Sequence, residues 1–448
     1  MNFSIRIRLS FMMLLEYFIW GAWYVTLGTW LATSLHFSGQ QIGLAAGTTA
    51  VGAIIAPFFV GLIADRLFNT QRVLALLHIV GAILLYIASL QTSFLPFYGI
   101  VLAYCLCFMP TLALTNSLAF RQMKDPREQF GSIRVLGSGG WILAGLLIGT
   151  LRLESTATPM RLAAAASLLM GVYCFTLPDT PPLAKTEKLS LDSVFPREAL
   201  NLLRERSMLV FAIASFLICI PLQFYYAFTN LFLNQAGVSN AAGKMTGGQI
   251  SEVICMILIP WFFRRLGVKY MLAAGMLAWI ARYIFFAYGN VDSRMWMLWA
   301  GILLHGICYD FFFVTGQIYI DRKAPLNLRA SAQGLITFIT YGIGMFVGSW
   351  LSGAVVNHYA LPTAQGALTY DWRSIWLFSG SASVIVLLLF LLSFSDKQAD
   401  TVEPFPAVED ASLQILQSIV VVSPYVVSPY FDIESPDENF LAPLSAFV

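Results

Sequence analysis

Apolar residues along this chain come in runs of about 20, each stopped by charged or turn residues, and that repeat sets the architecture. A helix rising 1.5 Å per residue needs about 20 residues to cross the ~30 Å hydrocarbon core of a bilayer. Twelve spans are predicted, over residues 9–33, 41–64, 72–92, 95–120, 132–151, 159–177, 207–233, 244–263, 270–289, 295–319, 328–356 and 373–395. The first run is too long for the apolar core of a secretion signal and lacks a small-residue cleavage site, so it is predicted as a permanent span. The longest connection, 178–206, carries Pro178, Pro181, Pro182, Lys185, Lys188, Arg197, Arg204 and Arg206. The expected organisation is an N-terminal six-helix bundle over 1–177, a cytoplasmic linker over 178–206, a C-terminal six-helix bundle over 207–395, and a tail over 396–448.

Composition supports the pattern. Of 448 residues, 58% are hydrophobic and only 11% charged, against roughly 25% charged in soluble domains. A soluble enzyme, a nucleic-acid binder and a disordered scaffold are excluded. Charge then gives the orientation. With the N-terminus inside, 19 of the 26 Lys and Arg fall on the cytoplasmic side: Arg6, Arg8, Arg66, Arg72, Arg121, Lys124, Arg127, five in the linker, Arg264, Arg265, Lys269, Arg322, Lys323, Arg329 and Lys397. Only Arg152, Arg161, Lys244, Arg294 and Arg373 fall outside, so both termini are expected in the cytoplasm. The tail carries nine acidic residues and one lysine, repeats Val-Val-Ser-Pro-Tyr at 421–425 and 426–430, and is expected to be disordered. All six cysteines lie in apolar runs, where they act as small hydrophobes, and no metal-ligand spacing joins them to the four histidines.

Ionisable groups inside spans are costly and therefore candidates for function. This chain has Glu16, Arg134, Glu252, Arg282 and Asp310, with His78 and His305. Arg134, Ser138 and Trp141 share one face of span five. Gln223, Tyr226 and Asn230 share a face of span seven, just after Pro221, which is expected to interrupt the helix. Gln249 and Glu252 share a face of span eight. His305 and Tyr309 share a face of span ten, with Asp310 about 100° further round. These faces are expected to converge on a wet cavity between the halves. Amides and carboxylates there match hydroxyls and base edges of a polar solute, and Trp141, Tyr226 and Tyr309 offer flat faces for stacking. No catalytic or metal-binding set and no phosphate loop is present; Leu136-Gly137-Ser138-Gly139-Gly140 lies inside a span and reads as helix packing, as does Gly344-Met-Phe-Val-Gly348. Arg134 also fits a charge marking a span's start, Arg282 fits an ion-pair partner better than a ligand, and His78 fits a packed, satisfied histidine.

The loop Gly61-Leu-Ile-Ala-Asp65-Arg66 resembles, in shortened form, the signature loop of the major facilitator superfamily. Segments across almost the whole bundle narrow the resemblance. They include Trp20-Gly-Ala-Trp23-Tyr-Val-Thr-Leu-Gly28, Phe108-Met-Pro110-Thr-Leu-Ala-Leu-Thr-Asn116, Ile133-Arg134-Val-Leu-Gly137 and Gln249-Ile-Ser-Glu252. Ala278-Trp279-Ile-Ala-Arg282, Tyr309-Asp310-Phe-Phe, Arg329-Ala-Ser-Ala-Gln-Gly334 and Asp371-Trp372-Arg-Ser-Ile-Trp376 complete them. Together they resemble the nucleoside:proton symporter family of that superfamily.

The resemblance implies a major facilitator fold of twelve helices in two bundles, and import of nucleosides with protons across the bacterial inner membrane by alternating access. It implies no enzymatic activity, no cofactor beyond the proton as coupling ion, and no partner beyond nucleoside, proton and lipid bilayer. Family ligand positions carry over unchanged at Arg134, Gln223, Gln249 and Glu252, and conservatively at Ser138, Trp141 and Tyr309. They differ at Tyr226, where asparagine is expected, and at His305, where tyrosine is expected. Proton coupling is expected from Glu252 or Asp310, with Glu16 as a further ionisable group standing where relatives carry an amide. The alternative is a permease of the same superfamily for another neutral solute, such as a sugar or a modified nucleoside.

Overall fold

The computed structural model describes residues 2–59, 68–123, 125–181, 197–325, 328–362 and 368–395. The loop Gly61–Arg66, most of the linker and the tail lie outside the described residues. Ten helical segments among those described are long and apolar enough to cross a membrane.

In the first half, the first span is α1 (Phe3–Tyr24) and α2 (Leu27–Thr33), parted at Val25 and Thr26. There follow α3 (Gly39–Phe59), α4 (Thr70–Ala88), α5 (Phe94–Arg121), α6 (Pro126–Thr150) and α7 (Thr158–Tyr173). A short helix α8 (Arg197–Asn201) leads to the second half. There α9 (Arg206–Gln235) and α10 (Ala241–Tyr288) are followed by α11 (Met295–Leu303), α12 (His305–Tyr309) and α13 (Thr315–Lys323). The last helices are α14 (Arg329–Thr337), α15 (Met345–His358) and α16 (Trp372–Ser393).

The 48 residues of α10 would span ~72 Å if straight, more than twice a bilayer core. They break at Gly267, whose φ of 64° and ψ of 178° favour a residue without a Cβ. The break falls in the basic connection Arg264-Arg265-Leu266-Gly267 expected between spans eight and nine.

Within the first half, α1 packs on α6 and α7, α4 on α5 and α7, and α3 on α5. Within the second, α9 packs on α15 and α16, and α10 on α12 and α16. Three seams join the halves: α3 with α15, α6 with α10, and α2 with α9. Trp23, Trp279 and Trp376 are fully buried, while Leu76, Ile83, Ile257, Leu277, Ile385 and Leu388 are exposed along the outer faces. Large apolar groups outside and polar groups such as Glu16, Asp310 and Arg282 inside are the arrangement a hydrocarbon solvent selects. The chain is a multi-pass membrane protein.

Three sequence expectations are corrected. Helix α9 runs unbroken through Pro221, whose carbonyl accepts the Tyr283 hydroxyl at 2.5 Å. Spans ten and eleven are not plain α-helices: each contains a π-helical turn, over Asp310–Val314 and Phe338–Gly344. A small antiparallel hairpin, Ala360–Pro362 against Leu368–Tyr370, joins the last two spans where only a loop was expected.

Candidate functional site

Between the halves lies a cavity of about 180 Å³, room for on the order of ten waters. All nine residues expected to hold the solute line it: Arg134, Ser138 and Trp141 on α6, Gln223 and Tyr226 on α9, Gln249 and Glu252 on α10, His305 and Tyr309 on α12. The polar faces of spans five, seven, eight and ten therefore converge. The first half contributes a cation and the second a carboxylate to one chamber.

Each wall has local support. The Arg134 guanidinium lies 3.8 Å from the Tyr17 ring centroid. Gly137 gives it room, since a Cβ there would come within 2.6 Å of Arg134 Nη1 and 2.7 Å of the Tyr17 ring. Trp141 meets Trp20 edge to face at 5.4 Å. On the opposite wall, His305 Nε2 stands 3.2 Å from Glu252 Oε1. Gln223 donates its amide to Ser349 Oγ at 2.6 Å, while its Oε1 is buried with no hydrogen-bond partner among the described residues. That oxygen, the half-buried Arg134 and the partly exposed Glu252 form a donor and acceptor set suited to hydroxyls and base edges. Tyr309 receives the Tyr341 hydroxyl at 2.9 Å, across the junction of the two π turns. π turns are frequent where a helix must present side chains out of regular register.

The cavity also has walls that sequence reasoning missed. Tyr17, Trp20 and Tyr24 come from α1, Thr49 from α3, and Tyr341 and Met345 from the eleventh span. The signal for the first three was present, because their i, i+3, i+7 spacing is one helical face. Trp23, in the same segment, points instead into the core against Tyr104.

Other residues fall elsewhere. Asn230 leaves the face it shares with Gln223 and Tyr226 and bonds with Thr29 and Glu154. Asp310 does not line the cavity; it is fully buried beside the chamber wall, and neither oxygen has a hydrogen-bond partner among the described residues. Arg282 is not the ion-pair partner expected. It is fully buried, its three nitrogens have no hydrogen-bond partner among the described residues, and its guanidinium lies 4.1 Å from the Tyr225 ring centroid. Glu16 lies wholly within the first half, where Thr111 donates to Oε1 at 2.6 Å and His78 Nε2 stands 3.0 Å from Oε2. The Ser167 hydroxyl donates to the His78 carbonyl at 2.9 Å, which leaves Nδ1, 3.2 Å from Ser167 Oγ, as the ring's own donor. Glu16 and His78 thus form a buried hydrogen-bonded pair in contact with Thr111 and Ser167. All six cysteines are free, and no cluster of potential metal ligands occurs among the described residues.

A polar, aromatic-walled cavity closed between two halves of a membrane bundle, with side chains from both halves reaching one chamber, defines a transporter of the major facilitator fold and not an enzyme. The chain belongs to the Nucleoside H+ symporter family, whose sequence profile matches residues 1–399. It is 42% identical over 425 residues to "Putative nucleoside transporter YegT" of Escherichia coli (strain K12), covering 92% of this chain and 99% of that protein. It is 33% identical to the xanthosine permease of the same strain, over 87% of this chain and 96% of that one. The crystal structure of the nucleoside transporter NupG superposes with a TM-score of 0.80 at 29% identity, over 89% of this chain and all of the other.

Proposed function

We propose that the protein imports nucleosides together with protons across the bacterial inner membrane by alternating access, with both termini in the cytoplasm and twelve spans in two six-helix halves. The observation that carries the substrate class is the single chamber lined by Arg134 from one half and by Glu252, Gln223 and Gln249 from the other, walled by Trp20, Trp141 and Tyr226. A ribose presents hydroxyls to the carboxylate and amides; a base presents a flat face to the rings and acceptor oxygens to the guanidinium.

Glu252 and Asp310 are the proposed proton carriers. Charged, a carboxylate resists enclosure in a dry chamber; neutralised, it can be closed over at far lower cost. Protonation followed by nucleoside binding then allows the halves to rock, because the loaded, neutral chamber is the one that tolerates closure on either side. Glu16 is bonded to His78 and Thr111 away from the chamber, and its proposed contribution is to hold the first half as one rigid body. The basic excess on one side of the membrane supports the orientation.

The experiment is uptake of labelled uridine and adenosine by cells lacking their own nucleoside carriers, with and without a protonophore. Accumulation that collapses with the protonophore is expected. Absence of uptake of both, with the protein present in the membrane, refutes transport of these two nucleosides, and direct uptake of a panel of other nucleosides and sugars then identifies the neutral solute that Tyr226 and His305 select.

A further inference from the structure

Far from Glu252 along the α6–α10 seam, the loop after α6 carries a carboxylate that no part of the transport reading uses. Glu154 is buried, and every hydrogen-bond partner its oxygens have among the described residues lies in the other half. Oε2 accepts Asn230 Nδ2 at 3.1 Å and Asn234 Nδ2 at 2.5 Å, both on α9. Oε1 accepts the Ala242 N–H at 3.0 Å, in the first turn of α10, where unpaired amide groups favour an anion. Thr29 of α2 adds a hydroxyl donated to Asn230 Oδ1 at 2.6 Å. Arg152, at a φ of 54°, turns the chain that delivers Glu154 to this position.

The seam beneath these bonds is drawn tight by glycines of α6. A Cβ on Gly149 would lie 2.0 Å from Asn240 Oδ1 and 2.5 Å from the Gly243 nitrogen; one on Gly145 would lie 2.7 Å from Thr246 Cγ2. A residual void runs along it, lined by Tyr24, Trp141, Tyr226 and Gln249 at the cavity end and by Gly145, Ala242 and Thr246 further out. Ala242 both lines that void and donates to Glu154. Cavity, void and carboxylate thus lie in sequence along one seam.

We propose that this seam is the solute's route between the chamber and the outside, and that Glu154 is the positioning residue that latches its mouth. Its charge-assisted bonds exist only while the halves meet at this end, so they stabilise the outward-closed state and no other. Losing them shifts the two-state equilibrium toward opening at this end. Placing this end outside rests on the proposed cytoplasmic location of the termini.

The test uses Thr246→Cys, a position buried in the closed seam, in right-side-out vesicles treated with a membrane-impermeant alkylating reagent, each rate corrected for the chain without that cysteine. Adding Glu154→Ala or Glu154→Gln is expected to raise labelling at least about tenfold, the shift that follows from losing one hydrogen bond to a charged group. Glu154→Asp is expected to fall between. Gly149→Ala, whose methyl overlaps Asn240, is expected to open the same seam with the carboxylate intact. Retained nucleoside binding by the solubilised variants certifies that they fold. Labelling that is unchanged in folded Glu154→Gln, while Gly149→Ala raises it, overturns the latch. Faster labelling only in inside-out vesicles keeps the latch and overturns the orientation on which its outer placement rests.

Discussion

The imidazole of His305 stands between two fixed neighbours: Nε2 is 3.2 Å from Glu252 Oε1, and the ring stacks on Tyr225 with centroids 4.9 Å apart and planes at 21°. Tyr225 in turn carries the Arg282 guanidinium on its ring. A histidine held this way cannot turn its plane without losing the stack, and the carboxylate holds its Nε2 edge. The wall that presents Glu252 to the chamber is thus set by residues on four different helical stretches.

Glu252→Gln keeps the shape of this wall and removes the carboxylate proposed as a proton carrier. Concentrative uptake of labelled nucleoside is expected to vanish. Accumulation at the native level in cells with a proton gradient would show that Glu252 is neither an essential ligand nor the carrier.

Arg134 lines the chamber opposite Glu252, its planar fork stacked on Tyr17, and is the proposed donor to the solute. Replacing it by alanine removes a hydrogen bond from a charged donor, worth about 1.5–3 kcal/mol. The expected result is a KM raised roughly 10- to 100-fold in initial-rate uptake, with the protein still in the membrane. Arg134→Lys keeps the charge and loses the fork, and is expected to recover only part of the affinity. An unchanged KM in Arg134→Ala would remove the arginine from the binding set.

Much of this arrangement was legible in the chain because a membrane makes polar residues conspicuous. Nine positions picked out as ligands from helical spacing and family resemblance line one chamber, since a polar side chain in a span has few places to point except inward. What stayed hidden depended on partners distant in sequence. Asn230 shares a face with Gln223, yet it bonds to Glu154, in a loop that the hydropathy pattern gave no reason to single out. Arg282 looked like half of an ion pair because a lone buried cation is rare, and nothing local announces Tyr225 as its support. The π turn at Asp310 has no sequence mark comparable to proline or glycine, and in the one that starts at Phe338 the glycine at its end, Gly344, read as helix packing. Tyr17, Trp20 and Tyr24 were missed for another reason: aromatic residues at helical spacing read equally well as core.

The last helix gives a pH-dependent test outside the membrane interior. Asp371 caps α16, accepting the Ser374 N–H at 3.2 Å and the Ser374 hydroxyl at 2.6 Å, and these bonds hold its carboxyl below its ordinary value of 3.8. A lowered value means that the cap's contribution is complete above the ordinary value and is lost as pH falls through the lowered one. Asp371→Ala is expected to cost about 1 kcal/mol of stability in detergent at pH 7. The difference from the native chain should hold steady to pH 5 and shrink below about pH 4. A difference that grows on acidification would refute the cap.

Glu16 and His78 offer a double-mutant cycle. Thr111 and Ser167 complete a network linking α1, α4, α5 and α7, all of it buried. Removing either partner leaves the other buried without its hydrogen-bonding neighbour, and each alanine variant is expected to lose about 3 kcal/mol. The pair acts as a unit, so Glu16→Ala with His78→Ala should cost less than the two separate losses by at least about 1 kcal/mol. Additive losses would show that the two side chains are stabilised independently.

Arg282 poses the reverse case, a buried cation whose removal should not weaken the fold. Its nitrogens find no hydrogen-bond acceptor among the described residues, and only the Tyr225 ring offsets its charge at close range. An attraction of that kind is worth about 2 kcal/mol when desolvated, less than the several kcal/mol that burying the ion costs. A methionine fills similar volume, keeps contact with the ring and carries no such cost. Arg282→Met is therefore expected to match or exceed the native melting temperature in detergent. The sequence keeps a residue that the fold alone does not favour, one ring away from the histidine that bonds Glu252, so uptake by the same variant is expected to fall at least about tenfold. A variant that melts well below the native chain would make Arg282 a structural residue; one that transports normally would leave its burial without a functional reason.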